Sequence, residues 1–151
     1  QENIDTFWNL FLKVANKSPT TSYSDVFHFA VTKDLANALL TLVLNNKKKA
    51  TASSLWGHTI ENEKIPEIGD LSIVTDWEGI PHCVIETTAV TIIPFSEMTY
   101  DVCKREGEDD TLESWQRGHT NFFIEEGHQI GYEFSEDMPV VFVDFKVVYP
   151  L

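Results

Sequence analysis

The stretch Leu71–Ile93, LSIVTDWEGIPHCVIETTAVTII, decides the fold class. Leu71, Ile73 and Thr75 alternate with Ser72, Val74 and Asp76, the period-two spacing of a strand with two distinct faces. Trp77-Glu78-Gly79 supplies a turn, and His82 to Ile93 is rich in β-branched residues that suit a pleated backbone. The stretch reads as a hairpin. Gly69-Asp70 is the turn that enters its first strand, and Pro94 ends the second because it has no N–H to give to a ladder.

Downstream, a short helix is expected after Ser96, ending near Gly107. Asp110 is the expected N-cap of the next helix, with Glu113 three residues later as its capping-box partner. That helix carries Leu112, Trp115, His119, Phe122 and Phe123, and Gly127 is expected to close it. From Pro139 to Tyr149 the chain alternates Val141, Val143, Phe145, Val147 and Tyr149 on one face, the clearest strand pattern present. Upstream, Ile4, Phe7, Trp8, Phe11, Val14 and Ala15 share one helical face, and Ser18 to Ser22 break that helix. A second amphipathic helix is expected over Asp34–Asn46, closed by Asn45 and Asn46, since Asn tolerates a left-handed backbone. Helices, a hairpin, more helices and a last strand do not make a doubly wound parallel sheet. They predict an α+β domain around a curved antiparallel sheet or small barrel.

Composition narrows the function. The chain has 151 residues, a length that fits one domain spanning 1–151. Its hydrophobic share of 42% is enough for a core, which excludes general disorder. No run approaches the ~18 apolar residues of a membrane helix, so no membrane partner is expected. Gln1 to Leu10 carry no basic leader pattern, and two cysteines make no disulfide framework. The expected location is therefore the cytoplasm. Eleven basic against 24 acidic residues give a net charge of −13. Such a chain repels a phosphate backbone, so no long duplex DNA is expected as a partner. A small ligand, or a nucleic-acid end held by a local basic spot, stays open.

That basic spot is Lys47-Lys48-Lys49. As cations after a helix they complement its dipole. Thr51, Ser53 and Ser54 follow at once, however. A lysine beside hydroxyls in an extended turn either binds an anion or, if desolvated, serves as base to a hydroxyl. The second cluster runs from Arg105 to Asp110 and holds four acids in five residues: Glu106, Glu108, Asp109 and Asp110. Mutual repulsion is expected to raise carboxyl pKa values there, in favour of acid–base work. The histidines show no ligand spacing, so no metal site is expected, and no cofactor motif is present. His119, on an apolar helix face, reads as a hydrogen-bonded structural residue. Cys83 and Cys103 read as packing residues. Trp56 and Trp77 lie in loop-like sequence, where an indole can stack on a base.

Taken in order, Lys48-Lys49-Ala50-Thr51-Ala52-Ser53, Gly69-Asp70, Cys83 to Thr88, Glu106-Gly107-Glu108-Asp109 and Trp115 with His119 and Phe122-Phe123 resemble the ASCH-domain family. The narrower likeness is to its uncharacterised bacterial branch of about this length, and it runs from Phe7 to Tyr149. The resemblance implies a PUA-like fold: a small β-barrel with surrounding helices and a cleft beside the lysine loop. It implies RNA or a small nucleoside or nucleotide as ligand. Some small family members resemble amidohydrolases that deacetylate acetylcytidine, and ribonuclease activity is attributed to others. On the amidohydrolase pattern Gly-x-Lys-x-x-Thr with a distant Glu, Lys48 matches the base, Thr51 the nucleophile and Glu106 the acid–base. Glu108 is the alternative to Glu106, and Asn46 replaces the glycine. Lys47, Lys49, Ser53, Trp56, Trp77 and Glu108 are the accompanying ligand-binding candidates. Three readings follow: a nucleotide- or RNA-related binding domain, a hydrolase on Lys48, Thr51 and Glu106, and a protein-interaction domain suggested by the acidity.

Overall fold

The computed structural model describes residues 2–151, so Gln1, counted above in the domain 1–151 and in the leader reading, lies outside the described residues. Helices α1 (Glu2–Val14), α2 (Lys33–Leu44), α3 (Leu55–Ile60), α4 (Tyr100–Cys103) and α5 (Leu112–Ile130) accompany strands β1 (Asp25–Phe27), β2 (Ala50–Ser54), β3 (Leu71–Thr75), β4 (Pro81–Pro94) and β5 (Pro139–Tyr149). The strand order is β1-β3-β4-β5-β2. The fold is α+β, as the hairpin and its flanks predict. β3 and β4 form that hairpin, antiparallel with Ile73 opposite Val84, and β5 is the tail strand. One edge departs from an antiparallel sheet: β1 pairs with β3 in parallel, Val26 opposite Ile73.

The chain divides into two compact units. One comprises the chain up to Lys47 with Ile68–Thr88 and Phe145–Leu151; the other is Lys48–Glu67 with Ala89–Asp144. In the first, the apolar face of α1 packs Ile4, Trp8, Phe11 and Leu12 on Leu71, Ile73 and Val84. Leu39, Leu40 and Val43 of α2 pack on Val74, Cys83, Ile85 and Phe145. These strand side chains belong to opposite faces of one sheet, which is why β3 and β4 carry apolar residues at consecutive positions. Thr32 caps α2 by accepting from Leu35 N, and Asn46 takes φ +60°, the left-handed turn its side chain tolerates.

The second unit is built on one core. Trp115 and Phe123 of α5 pack with Phe95, Met98 and Cys103 against Ala50, Val140 and Phe142 of β2 and β5. Two sequence expectations about α5 are corrected. Its N-cap is Thr111, whose hydroxyl accepts from Ser114 N at 3.1 Å, and not Asp110. Its end is Gly131, at φ +102°, and not Gly127. Gly127 is an internal glycine, and a Cβ there would collide with the Tyr132 carbonyl. The segment between β4 and α5 is helical only in single turns, ending at Gly107 with φ +72°.

Candidate functional site

Every group of the site lies in the second unit. β2 alternates Ala50, Ala52 and Ser54 toward the core, and Ala50 opposes Asp144 of β5. Two interactions bring the acidic segment to the start of β2 and to its partner β5. Lys49 N donates to the Arg105 carbonyl at 2.9 Å. Arg105 grips Asp144 with two hydrogen bonds, Nε to Oδ1 at 2.7 Å and Nη2 to Oδ2 at 3.2 Å, and its guanidinium stands 5.3 Å from the Phe142 ring centroid. A planar fork held at two points fixes its own backbone as well as its partner. The next residue, Glu106, therefore turns inward, and its side chain is 3% exposed.

Lys48 enters the same interior with only 1% of its side chain exposed. Its Nζ donates to the Ala50 carbonyl at 2.8 Å and to Glu108 Oε2 at 2.5 Å, with Glu106 Oε1 3.8 Å away. From α5, Trp115 Nε1 donates to Glu106 Oε2, and His119 Nε2 stands 3.6 Å from the same oxygen. His119 Nδ1 donates to the Trp115 carbonyl at 2.9 Å, and its ring stacks on the indole at 4.1 Å and 18°. One lysine, two glutamates, one tryptophan and one histidine thus form a single network. A buried charge without such partners would be prohibitively costly.

The network sets protonation. Burial pushes the Glu106 carboxyl up, but His119, then Lys48 and the Trp115 N–H, outweigh it and hold the carboxyl below its usual range. The rise expected from neighbouring acids is corrected by these partners. Burial pulls the His119 imidazole down, and the Glu106 carboxylate reverses this and raises it. Both are charged through mildly acid pH.

Of the residues singled out in the sequence, Lys48, Glu106 and Glu108 come together. Thr51 sits in β2 opposite Val143, on the strand face turned away from Ala50 and Ala52. Ser53 shares Thr51's face and lies 2.8 Å from His58 Nε2. Lys47 and Lys49 are exposed. Trp56 is on α3 rather than in a loop, packed against the core and edge-on to Tyr132 at 5.9 Å. Trp77 belongs to the first unit, where its ring meets that of His28 at 4.9 Å and its backbone N–H donates to Asn37 Oδ1. Both cysteines are buried, which pushes Cys83 up to about 12 and, with Glu106 and Asp109 adding to burial, Cys103 up to about 11. Trp115 and His119, which are not among the sequence's site candidates, join the site through α5. Their signal was the i, i+4 spacing of two rings on one helix face. Among the described residues no group of three His, Cys, Asp or Glu is placed to hold a metal ion. No described helix is long and apolar enough to cross a membrane.

No curated protein matches the chain. Two solved structures are similar over nearly all of it. The crystal structure of an ASCH domain from Lactobacillus crispatus JV V101 shares 34% identity, covers 99% of this chain and 96% of that one, and superposes with a TM-score of 0.86. Protein EF3133 from Enterococcus faecalis V583 shares 32% identity over 97% of this chain and 88% of that one, with a TM-score of 0.90. Residues 25–149 match the ASCH domain family model itself. With the family's residues matched through β1 to β5 and the fold repeated in both structures, the chain belongs to the ASCH domain family, whose fold is PUA-like.

Proposed function

We propose that this ASCH domain is a nucleotide- or RNA-related binding domain whose ligand contacts Glu108 and the Lys48–Thr51 segment. One observation carries the reading. In the buried network Lys48 is held between Glu106 and Glu108, and of these two carboxylates only Glu108, with 25% of its side chain exposed, reaches the surface. What such a site offers a ligand is a carboxylate, fixed from beneath by an ammonium. It suits groups that donate hydrogen bonds, such as the exocyclic amine of cytosine or adenine, better than it suits a phosphate. The net charge of −13 points the same way, toward a nucleoside or a short RNA end. The family's general link to RNA binding is the remaining support.

The hydrolytic reading is weaker on geometry. As base to Thr51, Lys48 Nζ would have to accept a proton, yet it donates to Ala50 and Glu108. As acid, Glu106 would have to hold a proton that His119 and Lys48 disfavour.

Calorimetric titration with cytidine, adenosine, uridine and a short single-stranded RNA tests the proposal. Amino-bearing nucleosides should bind better than uridine, and Glu108→Gln should weaken them about tenfold, the value of one hydrogen bond to a charged acceptor. Absence of binding by every ligand would overturn it. Acetylcytidine incubated with the protein should be recovered intact; turnover that Thr51→Ala abolishes would establish the hydrolase instead.

A further inference from the structure

A second polar group occupies the face of β2 that carries Thr51. Alternate strand residues share a face, so Ser53 stands beside Thr51, and its register partner is Val141. β2 runs directly into α3, whose N-cap is Ser54: the Ser54 hydroxyl accepts from Gly57 N at 3.1 Å and is buried. Helical side chains lean toward the N-terminus, so His58, the fourth residue of α3, reaches back across the first turn. Its Nε2 arrives 2.8 Å from Ser53 Oγ.

The other ring nitrogen is the informative one. His58 Nδ1 is buried and has no hydrogen-bond partner among the described residues. A neutral imidazole carries one N–H and one lone pair, so either tautomer leaves one buried nitrogen unsatisfied, which is costly. A side chain kept only to close the strand–helix corner would not need to be a ring with that defect. The atom that is engaged faces a hydroxyl, which is the relation of a base to a nucleophile. Ser53 is partly exposed, unlike the capping Ser54.

We propose that Ser53 is a nucleophile and His58 its general base, a pair that removes acyl groups from small esters. Ser53 Oγ bonds to the ester carbonyl carbon while its proton passes to His58 Nε2. The bond from that carbon to the leaving oxygen then breaks, and the departing alcohol takes the proton from Nε2. Water next bonds to the acyl carbon and gives a proton to Nε2, and as the bond to Ser53 breaks, Oγ recovers that proton and a carboxylic acid leaves.

This pair stands apart from the Lys48 network, so its test needs no nucleoside. The full chain is treated with an alkyl fluorophosphonate, whose P–F bond breaks as Ser53 Oγ bonds to phosphorus, fluoride leaving and the proton going to His58. Intact-mass and peptide analysis should show one adduct, on Ser53, absent in Ser53→Ala. His58→Gln keeps a hydrogen-bonding partner for Ser53 but no base, and labelling should slow about a hundredfold, the usual contribution of general-base catalysis. Circular dichroism of the variants confirms the fold in both. No adduct on the wild-type protein, an adduct elsewhere, or His58→Gln labelled as fast as wild type would overturn the proposal.

Discussion

At the scale of single residues, the buried pair Glu106–His119 makes a pH prediction whose sign is fixed by two opposite shifts. His119 is raised above its ordinary 6.5, so its contribution to stability is complete below that pH and is lost as pH climbs through the raised value. Glu106 is held below its ordinary 4.5, so its contribution is complete above that pH and is lost as pH falls through the depressed value. The two together support the fold fully between pH 4.5 and 6.5. Melting temperature should therefore fall from about pH 6 to about pH 9 in the wild-type protein, and fall less in His119→Gln. Equal slopes for the two would exclude His119 as the titrating group. The lysine and the acids of this site were legible in the sequence because charge clusters are local. The role of His119 was not, because Glu106 and His119 are 13 positions apart and meet only through the packing of Trp115.

At the scale of elements, α5 carries two glycines with opposite consequences. Gly118 is exposed in mid-helix and a Cβ there meets nothing within 4 Å, so Gly118→Ala removes backbone freedom from the unfolded chain without a clash. It should stabilise by about 0.5–1 kcal/mol. Gly127 is buried beneath the Tyr132 backbone, whose N–H donates to the Gly127 carbonyl at 3.0 Å, and a Cβ drives into that turn. Gly127→Ala should destabilise by about 1–3 kcal/mol. Urea denaturation of both variants checks the pair, and a stabilised Gly127→Ala would refute the packing read here. The same helix shows why boundaries are harder to read than elements. Asp110 and Gly127 obey the rules for caps, yet Thr111 and Gly131 take those roles, because Tyr132 folds back onto Gly127 and fixes the helix end. α1, α2, the β3–β4 hairpin and β5 carry their own periodicity and were legible. β1, three residues long, gains its place only by pairing with β3, and α3, six residues long, has too few turns to show a period.

Over the whole molecule, the charge of −13 opposes what a local lysine cluster suggests. A basic nucleic-acid binder loses affinity steeply with salt, because each neutralised phosphate releases a counterion and contributes a slope of about −0.7 on single strands. Here Lys48 is already held between Glu106 and Glu108, which leaves exposed Lys47 and Lys49, in separate units, as the cations of this run to meet a phosphate. The surrounding field is repulsive and is screened beyond about 8 Å at physiological salt. A neutral nucleoside engages neither effect, so its affinity should be the same at about 0.05 and about 0.3 M salt. A short RNA should show a slope no steeper than about −1, since screening of the repulsion offsets release from one or two contacts. Titrations of one nucleoside and one oligonucleotide at several salt concentrations measure both slopes. A steep negative slope for the oligonucleotide would mean that several phosphates are neutralised, and would place recognition on the RNA backbone instead of on a base amine at Glu108.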